Sequence, residues 1–188
     1  MSYSMISLQK PLVFFDLEAT GIAPTEDRIV DIAILRREPD GREECFSSLI
    51  DPGVPIPAET TAIHHISDEM VRGQPTFKDL APKILEFMGD ADLGGFGIIK
   101  YDIPMLTSEF KRAGMVFPLE GRRIVDALTI FHRREPRNLS AAYKFYCGQP
   151  LPGAHRAEPD ARASSSVFWA QLARYPDLPK DIEGLSAY

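Results

Sequence analysis

Residues 12–15 form an apolar run that gives way to Asp16-Leu17-Glu18, where acidic and apolar side chains alternate. Period two of this kind belongs to a strand whose two faces meet different surroundings, so Leu12 to Glu18 is read as a β-strand. Arg28 to Arg37 is read as a second, with Ile29, Val30, Ile32, Ala33, Ile34 and Leu35 interrupted only by Asp31. Glu43 to Ile50 is a third, and Asp40-Gly41 before it is a hairpin signal. Asp51 to Ala58 carries three prolines and a glycine and reads as a loop.

From Thr76 the period changes. Phe77, Leu80, Ala81, Ile84, Leu85 and Met88 fall on one helical face. Thr76 with Asp79 fits a loose capping box, and Pro82 inside the pattern should kink or split the helix. Asp92 to Phe96 reads as a short strand. Asp102 reads as the N-cap of a helix that buries Ile103, Leu106, Phe110 and Ala113 and stops before Gly114. Arg123 to Val125 is a brief strand, and helices follow at Ala127–Arg133, Leu139–Cys147 and Glu158–Arg174. The stretch from Tyr175 reads as a polar tail. Strands first, then strands alternating with helices, predict an α/β fold with a mixed sheet and helices packed on it.

The chain has 188 residues, 44% of them hydrophobic, which suits one domain spanning 1–188 with a core of about 11–173. Its apolar runs are too short to cross a bilayer. Met1 to Lys10 lacks the charged start and long apolar stretch of a signal peptide, so the expected location is cytoplasmic, with no membrane partner. Cys45 and Cys147 form no spaced pair and read as reduced, partly buried thiols. The net charge of −6 argues against a protein that coats duplex DNA through a broad basic face. It does not exclude carboxylates gathered around cations: two divalent ions would supply +4, taking −6 to −2.

The candidate chemistry starts from Asp16 and Glu18, two apart on a strand and therefore on one face. Side by side they repel, and a hard divalent cation such as Mg²⁺ or Mn²⁺, which prefers oxygen ligands, would remove that cost. Alone, the pair reads first as a solvated strand end. His155 and Asp160 are five apart, with His155 on a loop and Asp160 near the start of a helix containing Pro159. A mobile His can accept a proton from water near neutral pH; alone, the two read as a surface His and a helix-start Asp. Asp102 is adequately explained as a cap. His64, His65 and His132 stand at no zinc spacing.

Taken in order, Asp16, Glu18, Asp102, His155 and Asp160 resemble the five-residue signature of the DEDDh exonucleases, the family of the polymerase III epsilon subunit, ribonuclease T and oligoribonuclease. FFDLEATG is similar to the family's FDxETTG, AHRAEPDA to HxAxxDA, and KYDIPML to its middle motif, with Tyr101 for Phe. Residues 62–67, AIHHIS, are similar to xxHGIT, and residues 125–128, VDAL, to xDTL. The resemblance runs from about Pro11 to Ala170.

It implies a ribonuclease H-like fold with a five-stranded mixed sheet flanked by helices, and a 3′→5′ exonuclease using two divalent cations, Mg²⁺ or Mn²⁺. Asp16, Glu18, Asp102 and Asp160 would hold the metal ions, and His155 would be the general base. Leu17, Thr20, Gly21, His64, Ile66 and Phe96 would contact the terminal nucleotide. The implied partners are a single-stranded nucleic acid 3′ end, of DNA or of RNA, and a DNA polymerase; a homodimer is known among relatives. The last motif helix ends shortly before Tyr188, so a stand-alone enzyme is expected as readily as a proofreading subunit. A binding module without turnover is the alternative of another class. Two departures bear on substrate choice: Gly97 stands where relatives carry Asn, and His65 where they carry Gly.

Overall fold

A computed structural model describes residues 6–188, so residues 1–5 of the Met1–Lys10 segment lie outside the described residues. The chain divides into two compact units, Met1–Ile130 and Phe131–Tyr188.

The first unit is built on a five-stranded sheet in the order β3-β2-β1-β4-β5. Its strands are β1 (Leu12–Ala19), β2 (Ile29–Arg37), β3 (Glu43–Leu49), β4 (Asp92–Gly95) and β5 (Ile124–Asp126). β1, β2 and β3 are antiparallel neighbours, whereas β4 pairs parallel with both β1 and β5. The period-two pattern of β1 does what it predicts. Val13, Phe15, Leu17 and Ala19 are buried in the core, while Phe14, Asp16 and Glu18 face the other way.

Two helices close the core side. In α3 (Phe77–Met88), Phe77, Ala81, Ile84 and Met88 are buried. The capping box is formed in both directions, Asp79 N–H to the Thr76 hydroxyl and Thr76 N–H to the Asp79 carboxylate. The helix continues through Pro82 instead of splitting there. Proline removes one interior hydrogen bond, and buried residues on both sides seat the two halves on one core. At its end, Arg36 of β2 donates to the Phe87 and Met88 carbonyls, and Arg122 to those of Gly89 and Ala91. The other core helix, α4 (Asp102–Arg112), buries Met105, Leu106, Glu109 and Phe110. Glu109 sits beneath Arg28 (2.8 Å) and Arg112 (2.9 Å) and accepts the Ile29 N–H.

The residues after the Asp51–Ala58 loop fold into two short helices that no hydrophobic period announced, α1 (Ala58–His64) and α2 (Asp68–Val71). They are held by a second apolar cluster of Val30, Ile56, Ile66 and Val71. Val30 reaches it because the β1–β2 register shifts after Glu18↔Asp31 to Ala19↔Ile29. This bulge lets Ile29 take the core face and turns Val30 to the other side.

Helix α5 (Ala127–Arg134) leads into the second unit, which holds α6 (Leu139–Cys147), α7 (Ala157–Arg174) and α8 (Ile182–Ala187). α6 packs on α7, with Arg174 4.6 Å over the Phe145 ring and Tyr146 bonded to Tyr175. The expected polar tail contains α8, whose N-cap Asp181 accepts the Gly184 N–H at 2.7 Å. Cys45 is exposed rather than partly buried, and Cys147 is intermediate; both are free. Among the described residues no helix is long and apolar enough to cross a membrane.

Candidate active site

Asp16 and Glu18 lie on the part of β1 that extends past its parallel partner, since the β1–β4 pairing ends at Phe14↔Gly94. The N–H of Leu17 on this stretch bonds the carboxylate of Asp102. Asp102 is therefore not the N-cap that its position suggested. Tyr101 is the cap residue and makes no side-chain cap bond; Asp102 is the first residue of α4, 4% exposed, with its carboxylate drawn toward β1. Burial, then the charge of Asp16, push its carboxyl up to about 6, against the opposing bonds from its own and the Leu17 amides.

Glu18 is raised for the same reasons, burial first, with Asp16 and Asp31 adding to it and His64 opposing. Asp31 is the cross-strand partner of Glu18 and is likewise raised by burial and by Asp16. Four carboxylates thus act on one another along one side of the sheet. Directly opposed like charges are destabilising in a sheet, and Glu18, Asp31 and Asp102 hold their protons more tightly than free carboxylates do. A hard cation would reverse that repulsion, and the donor set is all oxygen, so these residues fit a divalent ion. Among the described residues no three His, Cys, Asp or Glu side chains converge as a finished metal cage.

The loop between Glu18 and β2 is tied to α4 at several points. The Tyr101 hydroxyl donates to the Gly21 carbonyl at 2.9 Å, and Arg112 donates to that of Pro24 at 3.1 Å. Tyr101 stays a neutral donor: burial, then Asp102, Glu18, Asp27 and Asp16, push its hydroxyl up to about 12. Within the loop, Asp27 accepts from the Thr20 hydroxyl and the Ala23 N–H, and Arg28 N–H donates to Thr20. A side chain at Gly21 would meet the Asp27 carboxylate at 2.4 Å, so the turn requires glycine.

The expected nucleotide contacts fall into two groups. The side chains of Leu17, Thr20 and Ile66 are buried, in the core, the loop and the second apolar cluster respectively. Gly21 already receives Tyr101. His64 and Phe96 remain open to a ligand. Phe96 is 65% exposed beside a cavity of 390 Å³ lined by Phe14, Asp16, Ala33, Leu35 and Cys45. The Nδ1 of His64 accepts the Ile66 N–H at 3.0 Å, and its Nε2 is buried without a partner.

The two departures acquire a backbone explanation. Gly97 has φ 84° and donates to Asp126 at 2.8 Å. Glycine, and next to it asparagine, takes such a conformation most easily. His65 has φ 63° as the left-handed C-cap of α1, so this histidine occupies the permissive position that relatives give to glycine. Asp126 was noticed only as part of a strand-to-helix step. Burial would raise its carboxyl, but the N–H groups of Gly97, Ile99, Leu128 and Thr129 outweigh burial and hold it below the usual range. It thereby knots the Phe96 loop to the start of α5. An acid directly before a helix was the available signal.

In the second unit His155 also has a left-handed backbone, φ 71°, and lies on the loop into α7 as expected. Its N–H donates to the carboxylate of Asp160 at 3.3 Å, and Asp160 sits in the early part of that helix. The structure thus groups Asp16, Glu18 and Asp102 within the first unit, and His155 with Asp160 within the second.

The RNase T exonuclease family model matches residues 13–168. The chain belongs to that exonuclease family. It is 29% identical over 168 residues to the PolC-type DNA polymerase III of Clostridium perfringens, covering 86% of this chain but 11% of that protein. It therefore spans about a ninth of that polymerase. The DNA polymerase III epsilon subunit of Treponema pallidum is 28% identical over 177 residues, covering 86% of this chain and 76% of the subunit; that of Aquifex aeolicus is 29% identical over 169 residues, covering 86% and 80%. E. coli exonuclease I in complex with a dA13 oligonucleotide superposes with a TM-score of 0.60 at 17% identity, over 90% of this chain and 42% of that one. At that identity the likeness speaks for the fold alone, the ribonuclease H-like one expected of the exonuclease family.

Proposed function

We propose that this chain is a 3′→5′ exonuclease that releases nucleoside 5′-monophosphates from single-stranded or frayed 3′ ends of DNA. The observation that carries the reading is the family match together with the mutually repelling carboxylates Asp16, Glu18 and Asp102. Asp16, Glu18, Asp102 and Asp160 are proposed to hold two divalent cations, Mg²⁺ or Mn²⁺. Such ions, when bound, stabilise the charge that develops on the attacking and leaving oxygens. The protein's own residues supply the rest. His155 accepts a proton from the attacking water. The water oxygen forms the new bond to phosphorus as the bond to the 3′ oxygen of the preceding nucleotide breaks, and that oxygen leaves with the electron pair and is protonated. Phe96, exposed beside the 390 Å³ cavity, offers a stacking face for a base. In this reading the two compact units work as one exonuclease domain.

DNA is preferred to RNA because the relatives are DNA polymerase III proteins and the structural neighbour was solved with a DNA oligonucleotide. The same relatives make a DNA polymerase the partner to test by co-purification. The decisive assay is release of mononucleotides from matched, labelled DNA and RNA oligonucleotides with Mg²⁺ or Mn²⁺. Asp16→Ala should abolish release, and His155→Ala should reduce it heavily with the fold intact. Full activity in either purified variant would overturn the assignment, and faster release from RNA would move it to an exoribonuclease.

A further inference from the structure

Asp31 is the one carboxylate of the acidic face that none of the motifs contains. It stands directly opposite Glu18 across the antiparallel β1–β2 pair, and opposed residues share a face. The register shift follows at once, and the residue it expels from the core face, Val30, packs with Ile56, Ile66 and Val71. The same bulge that ends the Glu18–Asp31 pairing therefore anchors the 56–71 segment, and with it His64.

The His64 ring is set by its own chain. Its Nδ1 accepts the Ile66 N–H at 3.0 Å, and Thr61 bonds the Ile66 carbonyl. An accepting Nδ1 leaves the ring proton on Nε2. That Nε2 is buried and has no hydrogen-bond partner. A buried donor left unpaired is costly, and such an atom calls for an account. The charged neighbours that act on this ring are carboxylates, Glu18 and Asp31, and both interact with it favourably.

We infer that Asp31 is a positioning residue that acts through His64. From beside Glu18 its carboxylate keeps the imidazole in the tautomer with the proton on Nε2 and facing the acidic side of the sheet. There the N–H is available to an oxygen of the bound strand end. Glu18 faces the same ring, but in the proposed reaction it is engaged with a cation. Asp31 is then the acceptor-bearing group that remains to hold the ring. The inference rests on the exonuclease reading for what the N–H is used for, and on the structure alone for how the ring is held.

The test uses the full chain and two variants, Asp31→Asn and Asp31→Glu. ¹⁵N NMR of the imidazole nitrogens, without metal at one neutral pH, reads the His64 tautomer, assigned by its loss in His64→Gln. Wild type is expected to show a single Nε2–H form, Asp31→Asn a mixture of tautomers, and Asp31→Glu the wild-type form. In oligonucleotide hydrolysis, Asp31→Asn is expected to raise KM roughly five-fold or more while kcat changes less than about two-fold, which is the pattern of lost uniform binding. Asp31→Glu should recover most of that loss, and Asp31→Asn should add nothing further in a His64→Gln background. An unchanged tautomer in Asp31→Asn overturns the inference, as does a fall in kcat at constant KM, or additive effects of the two substitutions. Should wild type release no mononucleotide, the exonuclease reading fails, while the NMR result still decides how Asp31 and His64 are related.

Discussion

Replacing Asp102 by Asn is expected to make the metal-free protein more stable at neutral pH. Burial and the charge of Asp16 raise this carboxyl from 3.8 to about 6. The folded value lies above the unfolded one, so the folded chain binds the proton more tightly. The stability this gives is fully present below 3.8 and is lost as the pH rises through about 6. A carboxyl moved that far from its ordinary value corresponds to at most about 3 kcal/mol, and solvent screening at the rim of the acidic face reduces this to about 1–2 kcal/mol. Asn keeps the shape and one acceptor for the Leu17 and Asp102 amides, and it removes the charge. For a chain of this size about 1–2 kcal/mol moves Tm by roughly 2–6 °C. The assay is thermal unfolding of wild type and Asp102→Asn with a chelator. The variant should gain those degrees at about pH 7.5 and lose most of the gain at about pH 4.5, where wild-type Asp102 is already protonated. No gain at the higher pH, or an equal gain at both, would refute the electrostatic account of the site. Added Mg²⁺ or Mn²⁺ should then stabilise wild type more than the variant.

Three further outcomes follow from contacts around the same site. Tyr101→Phe removes the bond to the Gly21 carbonyl, costing about 1 kcal/mol in chemical unfolding, and should raise the KM for an oligonucleotide as the Thr20–Asp27 loop loosens; an unchanged KM would show that the loop does not need this tie. His65→Gly relieves a non-glycine residue at φ 63° and should stabilise the fold by about 0.5–1 kcal/mol, whereas a lower Tm would mean the side chain carries more than its backbone costs. Glu109→Ala leaves Arg28, Arg112 and the Ile29 N–H without their common acceptor and should cost about 3 kcal/mol or more, with the deficit visible in urea unfolding; a loss below about 1 kcal/mol would show that the arginines find water instead.

The elements with a strong period were legible in the sequence. β1, β2, β3, α3, α4, α6 and α7 stand within a residue or so of where the alternation and the apolar faces put them. The short helices α1 and α2 were not, because a single turn held by Ile56, Ile66 and Val71 has no room for a period. Pro82 misled for a related reason: a local rule about one lost hydrogen bond was outweighed by burial on both sides. In the candidate site, Asp16, Glu18 and Asp102 were visible as residues, but the use of Asp102 was misread. An acid at a helix start looks the same whether it caps its own helix or reaches toward a neighbouring strand. Asp31 was invisible for a different reason. Its meaning depends on which residue of β1 lies opposite it, and register is a property of the pair of strands and not of either one.

The end of α3 has a consequence for the order in which the chain assembles. The carbonyls of Phe87, Met88, Gly89 and Ala91 are not finished by neighbouring sequence. They are finished by Arg36, which lies 51 residues before Phe87, and by Arg122, which lies 33 residues after Gly89. The last turn of this helix therefore closes only when the β2 hairpin and the approach to β5 have both arrived. Helix ends ordinarily fray and exchange their amide hydrogens by small local openings. Here the end of α3 is a junction of three distant segments, and its amides exchange on the timescale of the whole sheet coming apart.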